Sequence, residues 1–191
     1  MRFTLFILFF LGISATLKAQ TPTKWYSETT ANGITIQNSY PKGGPYKGPV
    51  KQHYNYSYLV FFSRMINNTN KPLEINLSFT SNAIAIPNSP DTFMKLFLPS
   101  EVMTMDKQPL FSYGITELKS LEKATSFSKT IPPKEDVLFY VVAVFYQTKP
   151  NLTHQDRGGN RAELILKDKK FYYKMLPQVE ALPCGFISFK K

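Results

Sequence analysis

The chain has 191 residues, 43% hydrophobic and 15% aromatic, with 9 Gly, 14 Pro and a single Cys. This composition excludes a disordered tail, a collagen-like repeat and a disulfide-stapled mini-protein. One domain of ordinary size is expected, and its formal net charge of +10 is spread along the chain without a nucleic-acid-binding motif.

Arg2 and the nearly unbroken apolar run from Phe3 to Ile13, followed by small and polar residues to Ala19, have the layout of a secretory signal peptide. The run is too short to span a bilayer, which needs roughly 20 apolar residues. Cleavage is expected after Ala19, so that the mature chain starts at Gln20 and loses Arg2 and Lys18 from its positive charge. The ending Lys18-Ala19-Gln20 resembles signal peptides of envelope proteins from Bacteroidetes-type bacteria. The expected organisation is a signal peptide over 1–19, an N-terminal strand with a Gly/Pro-rich loop over 20–49, and a β-sandwich core over 50–191. Export to the periplasm, the cell surface or the medium follows from the leader.

Beyond the leader the dominant period is two. Gly33 to Tyr40 reads as a weak strand, and Pro41 to Pro49 as a loop or extended arm, because its prolines forbid a strand-to-helix phosphate cradle. Tyr54 to Ile66 is strand-like. Leu73, Ile75, Leu77 and Phe79 then alternate with polar residues, which sends the two sets to opposite faces of a sheet. The Asn-rich break from Asn67 to Pro72 between these runs reads as the turn of an antiparallel hairpin. Asp91 to Met105 is ambiguous, with a helical turn expected near Phe93 to Phe97. Ile115, Leu118 and Leu121 suggest at most two further turns of helix.

Ser126 to Ile131 and Cys184 to Phe189 are weak strands. Val137 to Tyr146 is ten apolar residues in a row and reads as a central strand covered on both faces. Arg161 to Leu166 and Phe171 to Leu176 form a second hairpin across a Lys/Asp turn, with Ala162, Leu164, Leu166, Phe171, Tyr173 and Met175 inward. The expected fold is therefore all-β: an elaborated, immunoglobulin-like antiparallel β-sandwich with at most one or two short helical turns.

Chemistry is sparse. His53, His154 and Cys184 show no metal-ligand spacing, the 154–160 stretch lacks the alternating carboxylates of a calcium loop, and no nucleophile elbow or phosphate loop is present. No metal or cofactor is expected, and the chain reads as a non-enzyme, with a hydrolase built on an unrecognised acid pair as the remote alternative. Cys184 is expected to be a small buried hydrophobe. The remaining enrichment is aromatic. Tyr40, Tyr46, Tyr54, Tyr56 and Tyr58 surround the Gly/Pro loop, Trp25 lies near the mature N-terminus, and alternation places Tyr54, Tyr56 and Tyr58 on one face. Such rings either pack across strands or anchor a protein partner or a sugar ring. The functional expectation is an exported binding module that contacts a protein partner in the cell envelope, or acidic polysaccharide drawn by its lysines. A carbohydrate-binding sandwich using the tyrosines is the alternative.

Overall fold

A computed structural model describes residues 23–48, 53–87, 89, 91–118, 123–150, 161–176 and 179–190, with side-chain placement left aside for Leu176 and Glu180. The expected leader, with Ala19 and Gln20, and the 151–160 stretch with His154 lie outside the described residues. The described residues form twelve strands: β1 (Ser27–Ala31), β2 (Ile34–Asn38), β3 (Lys42–Pro45), β4 (Tyr54–Asn67), β5 (Leu73–Phe79), β6 (Ile84–Ala85), β7 (Thr92–Phe97), β8 (Thr125–Ile131), β9 (Asp136–Gln147), β10 (Arg161–Lys167), β11 (Lys170–Leu176) and β12 (Val179–Phe189). They form two antiparallel sheets. The first runs β1-β2-β4-β9-β7-β6, with β3 continuing the β2 edge alongside β4; the second runs β10-β11-β12-β5-β8.

The β10–β11 hairpin forms as expected, and all six of its inward residues are buried. Its turn residues Asp168 and Lys169 both have positive φ, the backbone of a tight hairpin turn whose twist matches the strands. Asn32-Gly33 makes the same kind of turn between β1 and β2. At Gly43 a Cβ would collide with the Tyr58 carbonyl, so glycine lets β3 lie against β4 where a loop was expected.

Three expectations are corrected. Tyr54–Asn67 and Leu73–Phe79 are not a hairpin: β4 pairs with β2, β3 and β9, whereas β5 pairs with β12 and β8 in the other sheet. The Asn-rich link is a crossing between sheets. Asn67, fully buried, donates through Nδ2 to the carbonyls of Lys71, Ile131 and Pro132, and its Oδ1 accepts from Thr69 N–H and Oγ1. One side chain thereby ties this crossing to the β8–β9 crossing at the same end. Second, Phe93–Phe97 is strand, not helical turn, with Thr92, Met94 and Leu96 buried on alternate positions. Third, Ile115–Leu118 is irregular, Leu121 lies outside the described residues, and the two short 3-10 turns among the described residues fall earlier, at Met105–Lys107 and Phe111–Gly114.

The sheets stack through one large core that includes Ile36, Phe61, Met65, Ile75, Phe139, Val141 and Tyr173. Cys184 is buried in it, and burial pushes its thiol pKa up to about 12, which keeps it protonated and unreactive. At the β10 edge the sandwich is closed by a second buried amide. Asn38 Oδ1 accepts from Leu164 N–H at 3.0 Å and from the Ser63 hydroxyl at 2.8 Å, and Asn38 Nδ2 donates to the Leu164 carbonyl at 3.3 Å. The side chain thus takes the place of a neighbouring strand for an edge residue of the opposite sheet. Replacing Asn38 by Ala leaves these buried groups unpaired and is expected to cost about 3 kcal/mol in urea unfolding; a loss under about 0.5 kcal/mol contradicts this assignment.

Candidate binding surface on the outer face of the first sheet

The two long strands β4 and β9 are apolar on both faces. Val60 and Phe62 of β4, with Tyr140, Val142 and Val144 of β9, point away from the other sheet and form a second core with Phe97, Met103, Tyr113, Ile115 and Leu118. The irregular segment from Leu98 to Leu118 covers them. This matches the two-sided cover expected for Val137–Tyr146.

Tyrosine hydroxyls fasten that cover. The Tyr140 hydroxyl donates to the Tyr113 carbonyl at 2.7 Å, the Tyr113 hydroxyl donates to the Tyr40 carbonyl at 2.6 Å, and the Tyr58 hydroxyl shares a hydrogen bond with Ser112 Oγ at 2.8 Å. Burial, reinforced by Glu101 and Asp106, pushes the Tyr140 pKa up to about 12. Burial likewise raises Tyr113, partly offset by a hydrogen bond from Ser39. Both stay neutral donors. Lys42 reaches over the Tyr113 ring and donates to the carbonyls of Gln108 and Leu110, with burial lowering its pKa. Between these anchors Ser112 and Tyr113 are both in the left-handed region, at φ 48° and 52°, which costs about 1–3 kcal/mol per residue unless the surroundings hold it. The neighbouring side chains go the other way: Phe111 is 71%, Val102 70% and Leu110 49% exposed.

Beside the cover, aromatic rings run across β7, β9 and β4 to the end of β3. Phe93 of β7 stacks on Tyr146 of β9 at 5.8 Å, Tyr146 lies 5.6 Å from Tyr56 of β4, and Tyr46, just past β3, meets Tyr56 and Tyr58 edge-on. His53 stacks on Tyr146 at 4.1 Å, and its Nδ1 hydrogen-bonds the Tyr56 hydroxyl at 2.9 Å. Burial and then the Lys95 charge lower the His53 pKa.

The expected contact residues therefore separate. Tyr46, Tyr56 and Tyr58 come together half-buried, and Trp25 packs edge-on against Phe62 at 5.3 Å at the margin of the same core. Tyr40 is exposed and meets Tyr26, away from that row. Tyr54 does not share the face of Tyr56 and Tyr58. Asn55, at φ 51°, opens a bulge that sets three steps of β4 against two of β9, so Tyr54 pairs with Gln147 on the opposite face. Phe111, Leu110, Val102, His53, Phe93 and Tyr146 carry no motif. Only the apolar Leu110-Phe111 pair after Pro109 marks the first two in the sequence.

Among the described residues no group of three or more His, Cys, Asp or Glu is placed to hold a metal, and no helix is long and apolar enough to cross a membrane. The chain matches no protein family, no curated protein and no solved structure.

The His53 shift sets a pH dependence. With the folded pKa below the unfolded value near 6.5, the unfolded chain binds the proton first, so stability falls as pH drops from about 6.5 through the folded pKa. Unfolding free energies between pH 7.5 and 5 are expected to fall less steeply in His53→Gln than in the unsubstituted protein. Identical slopes would refute the burial of the ring.

Proposed function

We propose that this chain is an exported binding module without catalytic chemistry, and that it docks a protein partner of the cell envelope on the outer face of the first sheet. The supporting observation is the contrast within the cover segment: its backbone is held in two left-handed residues by the Tyr140 and Tyr58 hydroxyls, while Leu110 and Phe111 beside them project into solvent. Large apolar side chains held in solvent by an anchored backbone are characteristic of a contact surface, since folding alone gains nothing from their exposure. Phe111 fits the aromatic anchor at the centre of such contacts. Lys95 beside His53, with Lys42 and Lys107 over the Tyr113 and Tyr140 rings, gives this face positive charge that favours an acidic partner.

The ring row of Phe93, Tyr146, His53, Tyr56 and Tyr46 favours a second reading, in which the half-buried rings stack on a carbohydrate. Phe111→Ser separates the two. As an exposed substitution it leaves the unfolding free energy within about 0.5 kcal/mol. Photo-crosslinking from position 110 in the native envelope is expected to trap one protein, and Phe111→Ser to lower its yield at least tenfold. An undiminished yield, or glycan-array binding lost in Tyr46→Ala but kept in Phe111→Ser, would displace the protein-docking reading.

A further inference from the structure

On the outer face of the second sheet one row of side chains crosses all of its strands in register: Lys167 of β10, Lys170 of β11, Phe186 of β12, Asn76 of β5 and Ser128 of β8. Their neighbours Leu166, Phe171, Ile187, Leu77 and Phe127 face the core, so the row stands outward. At about 4.8 Å per strand spacing it is about 19 Å long. Two of its features gain nothing for folding. Lys167 and Lys170 lie directly opposite each other, both exposed, and neither forms an ion pair among the described residues; like charges so placed repel. Beside Lys170, the Phe186 ring is 53% exposed to water. Exposed Lys169 and Lys190 at the adjoining rim leave positive charge in excess over Asp168. The other end of the row is uncharged. Ser128 Oγ donates to Asn76 Oδ1 at 2.8 Å, which leaves Asn76 Nδ2 without a partner among the described residues. In the next row Ser188 Oγ donates to Glu74 Oε2 at 3.2 Å, so a carboxylate acceptor stands close by.

We propose that this row binds one strand of an acidic polysaccharide, with a uronate carboxylate between Lys167 and Lys170, a sugar ring on Phe186 and sugar hydroxyls against Asn76, Ser128 and Glu74. A cation pair, one flat ring and then neutral donors and acceptors match an anionic group, a ring face and hydroxyls in the same order. Single-stranded nucleic acid needs a ring for each stacked base, and the Glu74 carboxylate repels its phosphates. A planar anionic bilayer would press Glu74 and Glu163, both on this face, against its head groups. The site lies on the opposite side of the sandwich from Phe111 and does not depend on protein docking there.

A galacturonate hexamer titrated calorimetrically into the protein tests this. Saturable binding is expected, and it is expected to weaken about tenfold or more for the methyl-esterified hexamer, which keeps every ring and loses every charge. Lys167→Gln combined with Lys170→Gln is expected to weaken binding by about tenfold or more without lowering the melting midpoint, because a repelling pair is removed. Phe186→Ser is expected to weaken it about fivefold, whereas Phe111→Ser and Tyr46→Ala leave it unchanged. Absence of saturable binding, equal affinity for the esterified hexamer, or unaltered binding in the lysine variant would each overturn the proposal. So would tighter binding of a thymidine hexanucleotide or of phosphatidylglycerol vesicles through the same lysines.

Discussion

The antiparallel ladder between β4 and β9 is apolar on both faces, and each face needs its own cover. The inner face, through Phe61, Met65, Phe139 and Val141, stacks on the second sheet. The outer face, through Val60, Phe62, Tyr140 and Val142, has no sheet to meet and is covered by irregular chain. Burying each of these outer side chains gains about 1.5–3 kcal/mol, so four of them outweigh the roughly 1–3 kcal/mol that each of Ser112 and Tyr113 costs in its left-handed conformation. The strain is therefore a consequence of covering this face with a turn tight enough to bring the Tyr113 ring under Phe62, where the two meet edge-on at 4.8 Å.

Two asparagines hold this double-layered ladder in place. Asn38 and Asn67 are both buried and sit on β2 and β4; Asn38 satisfies backbone groups of the opposite sheet, and Asn67 those of the crossings to it. Each does what a continuous hydrogen-bonded edge would otherwise do, and each fixes the height at which one sheet meets the other. At the far end of β5 a third polar tie joins the sheets, where Leu98 N–H donates to Thr125 Oγ1 at 2.8 Å beside Phe79.

Much of this was legible as pattern. The run Val137–Tyr146 demanded cover on both sides, and the alternation in Arg161–Leu176 specified a hairpin down to its inward residues. What escaped depends on contacts that have no local signature. The Asn-rich link after β4 looks the same whether it turns back or crosses over; the difference lies in bonds from Asn67 to residues 64 and 65 positions away. One bulge at Asn55 reverses the face of Tyr54, because a period-two reading fails at the first extra residue. Thr92–Phe97 was ambiguous as a short apolar run, although its alternation of buried positions is that of a strand. The cover segment has no period at all, so the outward set of Val102, Leu110 and Phe111 emerges only once its anchors are placed. Asn32-Gly33 carries the dipeptide signature of a hairpin turn, yet the period-two reading starts a strand at Gly33 and passes over β1.

The segment over Val60, Phe62, Tyr140 and Val142 is part of the folded core, although it holds no strand and no α-helix. Native-state hydrogen exchange with mass-spectrometric readout measures this directly. Amides of β4 and β9 are expected to exchange only through global unfolding, and the amides of Tyr113 and Ile115, bonded to the Leu110 and Ser112 carbonyls, to be protected well above those of an exposed loop. Exchange across residues 103–118 at the rate of unstructured chain, with β4 and β9 still protected, would contradict it.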